Sequence, residues 1–217
     1  MTQTPDSLGY TRLLRTLVLC LAAGSTLSGC FPVVMGGAVM GSLVATDRRT
    51  SGTQLEDEGI ELRAASRIRD NLGERGHVNV SSYNRRVLIT GEVPNVQDKQ
   101  LVEQVVSRVD NVQSVVNELA ELGNATLGQR TSDAVVTARI KAGMVDAKDL
   151  FANAFKVVTE RGISYMMGRV TQREADRATE IARSTSGVQK VVRVFEIISE
   201  DELRNLLPQP APTEAKK

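Results

Sequence analysis

One order of helical and extended segments occurs in the chain and is then repeated. Apolar residues at helical spacing predict helices, and short runs rich in β-branched residues predict strands. The first copy of this order has a helix at about 56–74, strands at 78–80 and 86–93, a helix at 96–109 and a strand at 112–122.

The second copy contains the same five segments in the same order. Apolar residues again change from helical to alternating spacing at each boundary. The segments are a helix at about 133–145, strands at 155–159 and 163–170, a helix at 172–184 and a strand at 188–198.

Short motifs at matching points support the repeat. Gly91-Glu92-Val93 and Gly168-Arg169-Val170 close the second strand of each copy, while Asn111-Val112 and Gly187-Val188 introduce the last strand. These features predict an α+β protein with two αββαβ domains, each with two helices packed on a three-stranded mixed sheet. Glycine at the same strand position in both copies predicts a bulge or a close backbone approach.

The N-terminal segment has the pattern of an export signal. Arg12 and Arg15 precede an apolar run at 17–27, and the run ends in Leu27-Ser28-Gly29-Cys30. This ending resembles a bacterial lipobox, so we expect residues 1–29 to be a lipoprotein signal peptide and the thiol of Cys30 to receive lipid. A plain signal peptide with a chance cysteine is the alternative.

Two further segments lie outside the repeat. Residues 30–55 begin apolar and glycine-rich, which favours a flexible tether beside the acylated N-terminus, although Gly37 and Gly41 have the spacing of close helix contacts. The proline-rich end predicts a disordered tail at 201–217. The two domains are then expected at 56–124 and 131–200.

The composition restricts the chemistry that the protein can perform. Cys20 lies inside the predicted signal and Cys30 is expected to carry lipid, so neither is expected to form a disulfide or act as a nucleophile. His77 is the only histidine and has no distinctive motif around it, which favours a solvated loop position. We expect no catalytic residues, no metal site and no cofactor. The net charge of +1 indicates no nucleic-acid partner.

Together these residues resemble a known family. The αββαβ repeat, the late glycine of its second strand and the Val-x-x-Val-Val final strand resemble BON domains. The lipobox, the segments Ala45-Thr46-Asp47-Arg48-Arg49-Thr50 and Gly52-Thr53-Gln54, and the segment 170–175 are similar to dual-BON-domain outer-membrane lipoproteins of the DolP type.

The resemblance implies a role. It implies a non-enzymatic lipoprotein on the periplasmic face of the outer membrane, whose second BON domain binds anionic phospholipid. It also implies enrichment at the division site and support of envelope integrity.

The two domains differ in their charge. Residues 56–121 contain eight Lys/Arg and twelve Asp/Glu, whereas residues 131–198 contain eleven Lys/Arg and eight Asp/Glu. Only the second domain is therefore suited to an anionic surface, unless the difference is ordinary surface variation.

The first helix of the second domain carries the candidate lipid-binding residues. Val136, Ile140 and Met144 form one stripe that the sheet should bury, and a second apolar strip edged by cations lies on another side. Met144, near the helix end, is counted in both sets. The strip either binds lipid or packs against the first domain. The candidates are Val135, Ala138, Arg139, Lys141, Ala142, Met144 and Val145.

A protein-interaction scaffold is the alternative function. The first domain, the tether and the proline-rich tail could hold a partner protein in envelope assembly or division. Peptidoglycan binding has less support, because aromatic residues form only 3% of the chain and sugar stacking needs them.

Overall fold

A computed structural model describes residues 47–206. The predicted signal peptide, Cys30, residues 30–46 of the tether and residues 207–217 of the tail lie outside this range.

The first half contains the predicted αββαβ order, with the last strand interrupted. Thr50 caps the first helix by accepting a hydrogen bond from the amide of Thr53 (3.1 Å), and Asn95 caps the second helix in the same way. The elements are α1 (Ser51–Leu72), β1 (His77–Tyr83), β2 (Arg86–Val93), α2 (Val96–Ser107), β3 (Ser114–Asn117) and β4 (Ala120–Glu121).

The second half repeats this order and adds a short C-terminal helix. Thr126 and Thr171 begin its two long helices, each with a reciprocal capping box. The elements are α3 (Leu127–Asp146), a 3₁₀ turn (Ala152–Ala154), β5 (Phe155–Glu160), β6 (Ile163–Thr171), α4 (Gln172–Ser184), β7 (Lys190–Ile198) and α5 (Glu200–Leu206).

Both sheets are mixed, as predicted. In the first domain β1 pairs antiparallel with β2, and β2 pairs parallel with β3 and β4. In the second domain β5 pairs antiparallel with β6, and β6 pairs parallel with β7. The two helices of each domain pack on one face of its sheet, so the α+β fold of two αββαβ domains is confirmed.

The other faces of the two sheets pack against each other. Side chains alternate along a strand, so Val87 and Ile89 face the helices while Leu88 faces the second domain. Tyr165 and Met167 of β6 meet it from the opposite side. Each central strand is therefore buried on both faces.

Boundary predictions are wrong at both ends of the repeat. Helix α1 begins at Ser51 because Thr50 caps it, so residues 51–55 are not tether. Residues 201–206 belong to helix α5 rather than to a disordered tail. Helical spacing also predicts Leu62 on the buried face of helix α1, and this prediction is wrong: Leu62 is 73% exposed, because Ile60 and Ala64 take the inner positions.

The paired glycines are confirmed as sites of close backbone approach. A Cβ on Gly91 would lie 2.0 Å from the carbonyl oxygen of His77, and one on Gly168 would lie 2.6 Å from that of Ala154. Gly91 also has a φ of +111°, a conformation that favours glycine.

Candidate membrane-binding site

Helix α3 is held in the second domain by its inner face. Val136, Ile140 and Met144 are at most 3% exposed and pack with β5, β6 and α4. The carboxylate of Asp133 accepts hydrogen bonds from the backbone amides of Arg161 (2.7 Å) and Gly162 (2.9 Å) in the β5–β6 turn. The orientation of the helix is thus fixed by groups on one side only.

The opposite side of α3 is open to solvent and largely apolar. Val135 is 44% exposed and Val145 is 70% exposed, and Ala138 and Ala142 are exposed between them. At about 100° per residue, these four side chains fall within one quarter of the helix surface. The described residues do not cover this strip.

The strip continues through the first two turns of the helix. Leu127, the first helical residue, is 80% exposed and lies about five turns before Val145, on the same line along the helix. Thr131 and Ala134 are exposed on the same side. The sequence prediction missed these residues because it began the helix at 133. The signal that could have found them is the capping box of Thr126 and Gln129.

Cations border this apolar strip, defined here as Leu127, Thr131, Ala134, Val135, Ala138, Ala142 and Val145. Arg139 lies exposed on one border and Lys141 on the other, with half-buried Arg130 on the side of Lys141. Asp133 is buried, so the one exposed carboxylate within α3 is Asp146 at the end of the helix. An apolar surface with basic borders has the form of an interfacial helix.

Met144 does not belong to this surface. It is fully buried in the core of the second domain, beside Leu150 and Val157. Its inclusion among the lipid-binding candidates is therefore wrong. The physical reason is helical spacing, because Met144 continues the line of Val136 and Ile140.

The first domain packs on the second through the sheet faces and not through the strip. Hydrogen bonds support this contact. Among them, the Asn84 amide donates to the Glu196 carboxylate (2.7 Å), and the Arg86 guanidinium donates to the carbonyl oxygen of Phe195 (3.1 Å). Lys141 borders a groove between the domains, near Lys156 and Glu61. The prediction that the strip packs against the first domain is wrong for the described residues.

His77 occupies a different place from the one predicted. It begins β1 instead of lying on a solvated loop, and its Nδ1 is 3.5 Å from Oε2 of the fully buried Glu92. Arg161 of the second domain donates to Oε1 of Glu92 at 2.7 Å. Burial raises the pKa of neighbouring Glu160, against the lowering effect of a hydrogen bond from Asn79. The cluster is thus an ionic contact between the two domains.

Residues 47–206 contain no group of three or more His, Cys, Asp or Glu side chains arranged to hold a metal ion. No helix in this range is both long and apolar enough to cross a membrane.

The comparison with family profiles identifies both halves of the chain. The profile described as BON domain matches residues 57–122 and again residues 132–199. The chain belongs to the BON domain family. Its two BON domains correspond to the two αββαβ units of the fold.

Curated relatives extend this similarity over most of the chain. The chain is 36% identical over 187 residues to the outer membrane lipoprotein DolP of Haemophilus influenzae, covering 85% of this chain and 97% of that protein. It is 30% identical over 154 residues to a 21 kDa hemolysin of Actinobacillus pleuropneumoniae, covering 70% and 79%. The osmotically-inducible protein Y of Escherichia coli is 25% identical over 156 residues, with coverage of 70% and 77%. The chain is therefore a dual-BON-domain protein of the DolP type.

Proposed function

We propose that this BON protein is a lipid-anchored lipoprotein on the periplasmic face of the outer membrane, where α3 binds anionic phospholipid. The observation that carries the proposal is the uncovered apolar strip of α3 with its basic borders. A globular helix normally presents polar residues on its outer side, so an exposed apolar strip favours a contact outside the chain.

The basic residues that border the strip favour an anionic lipid surface as its ligand. Arg139, Lys141 and Arg130 complement anionic headgroups, while valine, alanine and leucine side chains suit the boundary between headgroups and acyl chains. A protein partner would also accept apolar contacts. A bilayer offers a continuous surface for the whole strip, which extends about 27 Å from Leu127 to Val145.

The magnitudes indicate that α3 selects a membrane and does not anchor the protein. Each cation near an anionic surface contributes about 1 kcal/mol, whereas lipidation contributes about 0.8 kcal/mol per buried CH₂. Acylated Cys30 would therefore be the main anchor. A helix already tethered meets lipid at high effective concentration, so a weak preference can determine where the protein collects.

The outer-membrane assignment rests on similarity. DolP of Haemophilus influenzae is named an outer membrane lipoprotein, and the match covers 97% of it. The lipobox-like segment ending in Cys30 supports the same location. We propose that selective binding of anionic lipid enriches the protein at the division site and so supports envelope integrity.

Liposome co-sedimentation tests the proposal directly. The soluble mature chain should bind vesicles of phosphatidylglycerol and phosphatidylethanolamine, and the double variant Val135→Glu/Val145→Glu should lose this binding. Both positions are exposed, and glutamate forms helices at least as well as valine, so the fold should persist. Circular dichroism and thermal unfolding check that it does.

The first domain offers a matched control. Leu55 and Leu62 are 71% and 73% exposed on the equivalent helix α1, so Leu55→Glu/Leu62→Glu adds the same charge at positions that are at least as exposed as Val135 and Val145. This variant should retain binding. Equal loss in both variants would indicate non-specific repulsion, and binding by folded Val135→Glu/Val145→Glu would remove α3 from the mechanism. A stoichiometric protein partner in a pulldown, without binding to vesicles, would instead favour the scaffold.

A further inference from the structure

The segment in front of the first domain inserts a charged side chain into the second domain. Arg48 is 7% exposed, and its guanidinium donates to both carboxylate oxygens of Glu174, at 2.8 and 2.6 Å. It also donates to the carbonyl oxygen of Arg169 at 2.8 Å. Glu174 is 1% exposed, so this is a buried two-point ion pair across 126 positions of sequence.

Glu174 has an equivalent in the first domain. Asp98 is the third residue after the cap Asn95 of α2, as Glu174 is the third residue after the cap Thr171 of α4. Asp98 is likewise 3% exposed and forms an ion pair of 2.8 Å with Arg75. In the first domain the counter-ion is thus local, located just before β1.

The second domain lacks this local cation. Phe155 pairs with Gly168 as Val78 pairs with Gly91, so the residue that corresponds to Arg75 is Ala152. Alanine cannot neutralise a buried carboxylate, and an unpaired buried charge is strongly destabilising.

The neighbouring arginine fastens the same segment to the first domain. Arg49 pairs with Asp47 (2.8 Å) and with Asp57 of α1 (2.9 Å), and its guanidinium lies 4.2 Å from the centre of the Tyr83 ring. The side chains of the consecutive residues Arg48 and Arg49 therefore bind different domains, Arg48 the second and Arg49 the first.

We infer that Arg48 supplies the counter-ion that the second domain lacks, so that residues 47–50 form a strap joining the N-terminal segment to both BON domains. The second domain is incomplete without a residue located before the first. The consequence of the strap at the membrane rests on the proposed function. The 17 residues 31–47, which span about 60 Å at most, would connect the acyl anchor to the strap. The strap would then position the lipid-binding domain relative to its anchor.

Substitution of Arg48 in the full mature chain tests the strap without lipid. Arg48→Met keeps an unbranched aliphatic stem but removes the guanidinium and leaves Glu174 buried without a counter-ion, so the equilibrium constant for unfolding should rise about 100-fold or more. Arg69→Met, at an exposed arginine of α1, should change it less than about threefold. Arg48→Met/Glu174→Gln should recover part of the loss, because glutamine leaves no buried charge.

Amide hydrogen exchange locates the effect. Without Arg48, exchange should accelerate at the start of α4, around Thr171 and Glu174, and in residues 47–50, while the start of α2 keeps its protection. If Arg48→Met does not fold, Arg48→Lys, which retains charge but not the two-point geometry, provides the same comparison. Unchanged exchange at α4, or faster exchange in the first domain alone, would overturn the inference. Failure of vesicle binding would instead contradict the proposed function and leave the strap intact.

Discussion

Helices α1 and α3 occupy the same place in the two domains, and their inner sides perform the same task. Asp57 of α1 accepts the backbone amides of Asn84 and Arg85 at 2.8 Å, as Asp133 of α3 accepts those of the β5–β6 turn. Each helix also buries a line of apolar residues that begins three positions later. The inner side is therefore set by the requirements of the fold.

The outer sides of the two helices differ. On α1 the exposed leucines, Leu55 and Leu62, are separated by Glu58, and Asp70 lies further along the helix. On α3 the outer strip carries no charged residue, and cations border it. The comparison teaches that one fold can carry a mixed, charged surface on one copy and an uncharged apolar one on the other, because packing constrains only the buried side.

The largest effect should come from filling the close backbone contact of the first domain. Gly91→Ala places a Cβ 2.0 Å from the carbonyl oxygen of His77 at a φ of +111°, so it should destabilise the protein by about 3 kcal/mol or more. Gly168→Ala, with a contact of 2.6 Å, should cost less. Chemical denaturation compares the two, and an equal or reversed order would contradict the assigned geometry.

Truncation of Met144 should distinguish the role of the inner side of α3 in stability from the role of its outer side in vesicle binding. Met144→Ala should lower the free energy of unfolding by about 2–5 kcal/mol, because it opens a cavity in the core of the second domain. Vesicle binding by the folded fraction should not change. A loss of binding at full folding would return Met144 to the lipid-contacting set.

The Arg48–Glu174 pair predicts an acid-dependent loss of stability. Burial alone would raise the pKa of Glu174, but hydrogen bonds from Arg48 and the amide of Thr171 outweigh it, and the pKa is lowered from 4.5. A lowered pKa means that the stabilising contribution is present above 4.5 and is lost as the pH falls below it. Denaturation from pH 7 to pH 3 should show the gap between the native chain and Glu174→Gln shrinking. A constant gap would contradict the prediction.

Leu127 tests whether lipid contact extends along the whole of α3. Leu127→Glu should weaken binding to anionic vesicles about tenfold, because partial burial of leucine contributes about 1–2 kcal/mol. Leu62→Glu on α1 is the matched control and should leave the affinity unchanged. Vesicle titration measures both, and equal affinities would limit the contact to the C-terminal turns of α3.

The smallest effect should come from the basic borders. Arg139→Gln and Lys141→Gln should each weaken binding about fivefold, since each cation contributes about 1 kcal/mol near an anionic surface. The difference from the native chain should fade at high salt, where exposed charges are screened. A loss that persists at high salt would indicate direct packing in place of headgroup attraction.

Most elements of the fold could be predicted from the chain. Helix α4 has the predicted bounds, and the two glycines mark the predicted close approaches, because helical spacing and backbone sterics are local properties. The starts of α1 and α3 were placed too late, because their first turns carry few apolar residues and are set by caps.

The candidate site was only partly predictable. The sequence distinguished Val135 and Val145 from the buried line of α3, since both sides follow from the same helical period. The sequence prediction counted Met144 on both the inner and the outer side of α3. It missed Leu127 because it began this helix at 133, whereas the helix begins at Leu127. Whether the strip is open or covered by the first domain depends on where that domain packs, which no helical pattern encodes.

The chain by itself determined the repeat, the mixed sheets and the buried side of each helix, because these depend on periodic side chains and on backbone limits within about twenty residues. The tertiary structure alone brought Arg48 to Glu174 and Arg161 to Glu92. Such pairs join positions that are distant along the chain, and a charged residue carries no local mark of its partner. Only the packing of one sheet on the other left the strip of α3 open and placed the leading segment across both domains.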